Sequence, residues 1–152
     1  MAIDSPFENT PQRDGLHALL FLSTATHLLS QAEIDDLLNR AQTRNAEEKI
    51  TGVLLYNDGS FLQYLEGPVV GLSKIYEIIK SDHLHSGIIE LIYEPISMRE
   101  FPEWPMAFCS GNTVKLPEPT QFTERLSHLL EPSDLSMSRT RMLITRLWSR
   151  KF

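Results

Sequence analysis

Residues Ile50 to Gly67 read ITGVLLYNDGSFLQYLEG. The stretch holds two apolar runs, Val53–Tyr56 and Phe61–Leu65, around Asn57-Asp58-Gly59-Ser60. Asp-Gly between such runs signals a two-residue hairpin. Ile50–Tyr56 and Ser60–Glu66 therefore pair as antiparallel strands, and Gly67-Pro68 ends the second. Gln63 lies inside this apolar strand. A buried carboxamide left without partners costs about 1–3 kcal/mol, so what bonds to Gln63 is the functional question.

Outward from the hairpin, Leu16–Ser23 reads as a first strand. Ser30-Gln31-Ala32-Glu33 forms a capping box, and Ile34, Leu37, Leu38 and Ala41 follow at helical spacing. They predict a helix over 30–45. Val69, Leu72, Ile75, Tyr76 and Ile79 predict a second helix over 69–81. Gly87–Ile96 reads as a fourth strand, and Trp104–Cys109, after a proline-punctuated loop, as a fifth. The order βαββαββ is an α+β, ferredoxin-like sandwich with two helices over one sheet face. Helices are also expected over 118–130 and 134–150. In the last one Leu143/Leu147 and Ile144/Trp148 form an apolar stripe. Apolar residues alternate onto both faces of the third strand, so both need cover. The C-terminal pair is expected over the second face, with dimerisation as the alternative. The organisation expected is a flexible tail over 1–15, a domain over 16–112 and a helical extension over 113–152.

The 152 residues suffice for one domain, and 41% apolar with 22% charged residues is ordinary for a soluble globular chain. The apolar runs are too short to span a bilayer, and the N-terminus lacks a secretory pattern. One cysteine, Cys109, fits a reducing, cytoplasmic setting. No Cys/His spacing suggests a metal. The net charge of -6 argues against nucleic acid as a partner. From Leu135 onward the charges are all basic (Arg139, Arg141, Arg146, Arg150, Lys151), which suits a final helix complementing its dipole and the acidic body.

Alternation puts Gln63 on one face with Phe61 and Leu65. The same parity groups Leu19, Phe21 and Ser23 in the first strand, and Trp104 with Met106 in the last. Asn45 sits at the end of the first helix. Gln63, Asn45, Ser23 and Trp104 are thus expected to converge on one pocket. Carboxamides supply two donors and two acceptor lone pairs, which suits a planar heteroaromatic ligand between apolar walls. Taken singly, each has a plainer reading: Gln63 bonded to backbone or water, Asn45 as a helix cap, Trp104 as core.

Together these residues resemble the BLUF family, the flavin-binding blue-light sensor domains. Asn45 before ITG, the hairpin block, the run ending at Asp82 and His85, and EPISMREFPEWPMAF carry the resemblance over about residues 16–110. It implies FAD between the two helices, with FMN or riboflavin as alternatives. It implies hydrogen bonds from Gln63 and Asn45 to the ring edge, with Leu37, Leu54, Leu65 and Ile79 as walls. Phe21 and Ser23 would line the site and His85 would lie near the ring. Trp104 and Met106 would be switching elements on the last strand. The family mechanism implied is photochemical: a first-strand tyrosine gives an electron and a proton through the glutamine, which rearranges, and a partner reads the shift. No catalytic residue is implied. A downstream protein and a second copy of the chain are the expected partners.

Two positions depart from the family pattern. The first-strand tyrosine is Phe21, which has no hydroxyl. The arginine expected to bond a flavin carbonyl is Leu84, in Asp82-His83-Leu84-His85, with Arg44 as a candidate substitute. The readings are therefore a flavin protein with an impaired photocycle, or a cofactor-free interaction module. An acid–base or metal site at Asp82, His83 and His85 is a weak third, since no phosphate loop or nucleophile motif supports an enzyme.

Overall fold

The Asp58-Gly59 turn closes as the sequence predicts. In the computed structural model, which describes residues 15–110 and 113–115, the two residues adopt φ of 46° and 82°. Positive φ at both centres is what a type I′ hairpin requires. The turn joins β2 (Thr51–Asn57) to β3 (Ser60–Pro68), with Leu54 opposite Gln63. β1 (Leu16–Ala25) flanks β3 on its other side, with Phe21 opposite Gln63. β4 (His85–Ile96) pairs with the far edge of β1. β2 and β3 pack so closely that a Cβ on Gly52 would stand 1.9 Å from the Tyr64 carbonyl oxygen.

Helix α1 (Gln31–Glu47) starts on the expected capping box. The Ser30 hydroxyl accepts from the Glu33 N–H at 3.2 Å, and the Glu33 carboxylate accepts from the Ser30 N–H at 3.1 Å. It runs past the expected end to a C-cap at Glu48. Asn45 is therefore a buried residue of the last turn and not the cap. Helix α2 (Val69–Ser81) buries Leu72, Ile75, Tyr76 and Ile79.

The fifth strand, β5 (Ala107–Ser110), begins three residues later than the sequence suggests. Pro102 and Pro105 cannot donate ladder hydrogen bonds, and residues 97–106 form bends and a turn. β5 runs parallel to β2. β6 (Thr113–Lys115) then pairs with β5, so the sheet continues past residue 112. The strand order is β4-β1-β3-β2-β5-β6, which contains the ferredoxin-like order 4-1-3-2.

Both sheet faces are buried. The helix side gathers Leu19, Phe21, Leu37, Leu54, Phe61 and Leu65 with α2 residues. The other side gathers Leu20, Val53, Leu55, Leu62, Tyr64 and Phe101. This strict alternation is the period-two signature read from the sequence. The expected N-terminal tail and the helices over 118–130 and 134–150 lie outside the described residues.

Candidate functional site

Gln63 reaches the helix side of the sheet between Phe21 and Leu54. It is 2% exposed, and its Oε1 has no hydrogen-bond partner. Phe21, fully buried beside it, offers no polar atom. Asn45 enters from α1 and is also fully buried. Its Nδ2 donates to the Pro105 carbonyl at 2.7 Å, while its Oδ1 is unpartnered. Buried polar atoms without partners are rare, and each costs about 1–3 kcal/mol. Leu37, Leu54, Leu65, Ile79 and Met106 are buried in the same apolar cluster. The arrangement is an apolar layer holding two orphaned acceptors, whose missing partners are donors such as the ring N–H groups of a flat heteroaromatic ligand.

Ser23 and His85 close one end of this layer. Ser23 Oγ lies 3.0 Å from His85 Nδ1, and the imidazole packs on Phe61 at 4.6 Å between ring centroids. Burial lowers the His85 pKa, Asp82 opposes this, and the Arg44 charge adds to the fall. His85 is therefore held neutral near pH 7. The Leu84 N–H donates to Asp82 Oδ1 at 3.0 Å, and the Leu84 side chain packs against the helix-side core. Position 84 thus brings apolar bulk where the resemblance implies a guanidinium.

Arg44 supplies a cation nearby. Its Nε is buried without a partner. Burial lowers its pKa, with Asp82 pulling it back up. Arg44 lines an open groove of about 520 Å³ between α1 and α2 with Asn39, Arg40, Thr43, Glu47 and Ile78. Arg40 bridges toward α2, pairing with Asp36 at 2.9 Å and reaching Asp82 at 3.9 Å.

Trp104 does not join this site. It belongs to the cluster on the opposite sheet face, stacked on Phe101 at 5.8 Å, whereas Met106 lies on the helix side. Strand parity fails here because both residues precede β5 and sit in irregular chain. Three successive carbonyls fix this segment. Trp104 O accepts from Gly52 N–H at 2.9 Å, Pro105 O from Asn45, and Met106 O from Gln42 Nε2 at 3.1 Å. Asn45 is therefore tied to the segment that carries Met106, itself a member of the helix-side core.

A second anchor goes beyond what the local sequence pattern predicts. Glu66, fully buried on β3, accepts from Tyr64 OH at 2.8 Å, Thr51 Oγ1 at 3.2 Å, and the N–H groups of Glu100 and Phe101 at 2.8 and 2.6 Å. Arg99 adds bonds to Thr51 Oγ1, Glu66 O and Lys49 O. These ties bind residues 99–101 to the strand that carries Gln63. A glutamate ending an apolar strand was a signal, but its partners lie about 35 residues away in a loop.

The fold is a ferredoxin-like sheet with two buried carboxamides on its helix side, one of them tied to the segment that leads into β5. Comparison with known proteins sharpens the class. Residues 16–107 match BLUF, described as sensors of blue-light using FAD, and the chain belongs to this family. It is 33% identical over 107 residues to the photoactivated adenylate cyclase subunit beta of Euglena longa, covering 70% of this chain but 12% of that protein. It is 36% identical over 69 residues to the blue light- and temperature-regulated antirepressor BluF of Escherichia coli, covering 45% of this chain and 17% of the relative. Among solved structures it resembles the dark state of the BLUF protein BlrB, with TM-score 0.62, 34% identity, and 64% and 74% of the two chains covered. It also resembles Klebsiella pneumoniae BlrP1 with FMN and cyclic diGMP, with TM-score 0.71, 26% identity, and 89% and 35% covered.

Proposed function

We infer that this chain is a flavin-binding blue-light sensor that signals through protein contacts, with a photocycle impaired by Phe21. The observation that carries the reading is the pair of buried, unpartnered acceptors, Gln63 Oε1 and Asn45 Oδ1, against the helix-side apolar core. Bound flavin would supply blue-light absorption and a photoexcited one-electron acceptor. Gln63 and Asn45 would hold its polar edge, with Leu37, Leu54, Leu65, Ile79 and Met106 against its faces. Neutral His85, steadied by Ser23, would border the ring without adding charge. Because Asn45 also holds Pro105, a change at the ring edge would pass through one hydrogen bond to the entry of β5. With Phe21 opposite Gln63, no hydroxyl is at hand to drive the glutamine's rearrangement. FAD is the flavin we assign, in a cytoplasmic, self-associating protein that acts on a downstream protein partner.

The chain is read as a sensor and not as a catalyst; the cyclase activity belongs to a relative of which it spans 12%. The apolar Leu84 favours a second reading, a cofactor-free interaction module. Titration with FAD, FMN and riboflavin, followed by flavin emission, separates them. The first reading expects saturable binding, weakened about tenfold or more in Asn45→Ala and Gln63→Ala for each lost hydrogen bond. No binding of any flavin selects the second.

A further inference from the structure

Phe21 is also one half of a ring pair. The Tyr76 ring, on α2, lies 5.4 Å from it between centroids, tilted by 56°. Tyr76 is 1% exposed, yet its hydroxyl reaches the edge of the sheet and donates to the Glu90 carboxylate on β4. Glu90 is an exposed residue and stands opposite Phe21 in the β1–β4 pairing. Phe21 is therefore flanked by Gln63 on one strand and Glu90 on the other, with a phenol above it. Burial and the Glu90 bond and charge all keep Tyr76 protonated. Such a phenol gives up its electron most readily when a base takes the proton as the electron leaves, and Glu90 is such a base, open to water. Two other buried tyrosines are placed differently. The Tyr56 hydroxyl accepts from the Leu29 N–H at 3.1 Å. Tyr64 lies on the opposite sheet face, bonded to the enclosed Glu66.

We propose that Tyr76 and Glu90 form a substitute electron-and-proton donor pair, acting across the Phe21 ring on photoexcited flavin held at Gln63. The inference rests on the flavin reading above. Tyr76 is oxidised by one electron and the flavin ring is reduced by one. The Tyr76 O–H bond breaks and an O–H bond forms on the Glu90 carboxylate. Return of the electron to Tyr76 and of the proton from Glu90 restores the resting state. Because the proton leaves toward solvent and not through Gln63, the donor quenches the excited ring without driving the glutamine's rearrangement. Lys80 opposes the oxidation: its Nζ sits 4.9 Å from the Tyr76 ring centroid, and a cation over the ring disfavours a positive charge there.

The test is transient absorption of the full chain loaded with FAD, comparing wild type with Tyr76→Phe, Glu90→Gln and Lys80→Ala, each checked for an unchanged unfolding midpoint. Wild type should show a tyrosyl radical forming as the flavin excited state decays. Tyr76→Phe should lose that signal and lengthen flavin emission. Glu90→Gln should slow radical formation by on the order of 10²-fold, the low end of what a positioned base contributes to a proton transfer, and Lys80→Ala should speed it. A solvent-deuterium effect should be present in wild type and absent in Glu90→Gln. Unchanged decay in Tyr76→Phe overturns the inference, as does loss of the signal in Trp104→Phe or Tyr64→Phe instead. A chain that stays colourless with added FAD overturns the flavin reading itself.

Discussion

Replacing Phe21 by tyrosine tests the geometry around Gln63 without any ligand. Phe21 is fully buried and stands opposite Gln63, whose Oε1 lacks a partner. A hydroxyl added in a packed core costs about 1–3 kcal/mol in crowding. A new hydrogen bond to the orphaned Oε1 returns about 0.5–1.5 kcal/mol and removes the cost of the unpaired acceptor. Phe21→Tyr should therefore leave stability within about 1 kcal/mol of the parent. In a Gln63→Leu background the hydroxyl has nothing to bond, and the same change should cost about 2–3 kcal/mol. The coupling between the two positions is then about 1–4 kcal/mol. Urea unfolding of the four flavin-free chains measures it, provided the slopes agree. Zero coupling with a large penalty for Phe21→Tyr alone would refute the placement of the phenol position against Gln63. With flavin bound, the same substitution should restore a light-induced red shift.

Other outcomes follow from the anchors. Glu66→Ala orphans Tyr64 OH and two loop N–H groups and should cost about 3–5 kcal/mol in urea unfolding, with faster amide exchange at Glu100 and Phe101. Burial raises the Glu66 pKa above its ordinary 4.5, so the folded state holds this proton more tightly. Stability should fall as pH rises from about 4.5 through the folded value, and Glu66→Gln should remove that fall. His85 behaves oppositely. Its pKa lies below the ordinary 6.5, so stability should drop as pH falls below 6.5, a drop that His85→Gln should abolish on the same titration. Gly52→Ala should be among the most damaging small substitutions, because its Cβ would meet backbone and nothing flexible can give way.

The hairpin was legible because Asp-Gly chemistry and period-two alternation agree there, and α1 because its capping box precedes a helical stripe. The same alternation placed Gln63, Phe21 and Leu65 on the helix side. It misplaced Trp104 because the rule was carried into residues 97–106, where prolines break the ladder and side-chain direction no longer alternates. Gln42, Glu66 and Arg99 were missed for a related reason: each bonds to loop backbone whose path no local pattern encodes. The Tyr76–Glu90 bond joins a helix to an edge strand, and only the folded register brings the two together.

A flavin held at Gln63 and Asn45, with Phe21 where a hydroxyl would be needed, should absorb blue light without switching. The most direct measurement is the absorption spectrum of the purified protein supplied with FAD, in the dark and after blue light. The expected result is a bound-flavin spectrum that shows no lasting red shift. A reversible red shift in the wild type would contradict the role given to Phe21, and a colourless protein would contradict the flavin site.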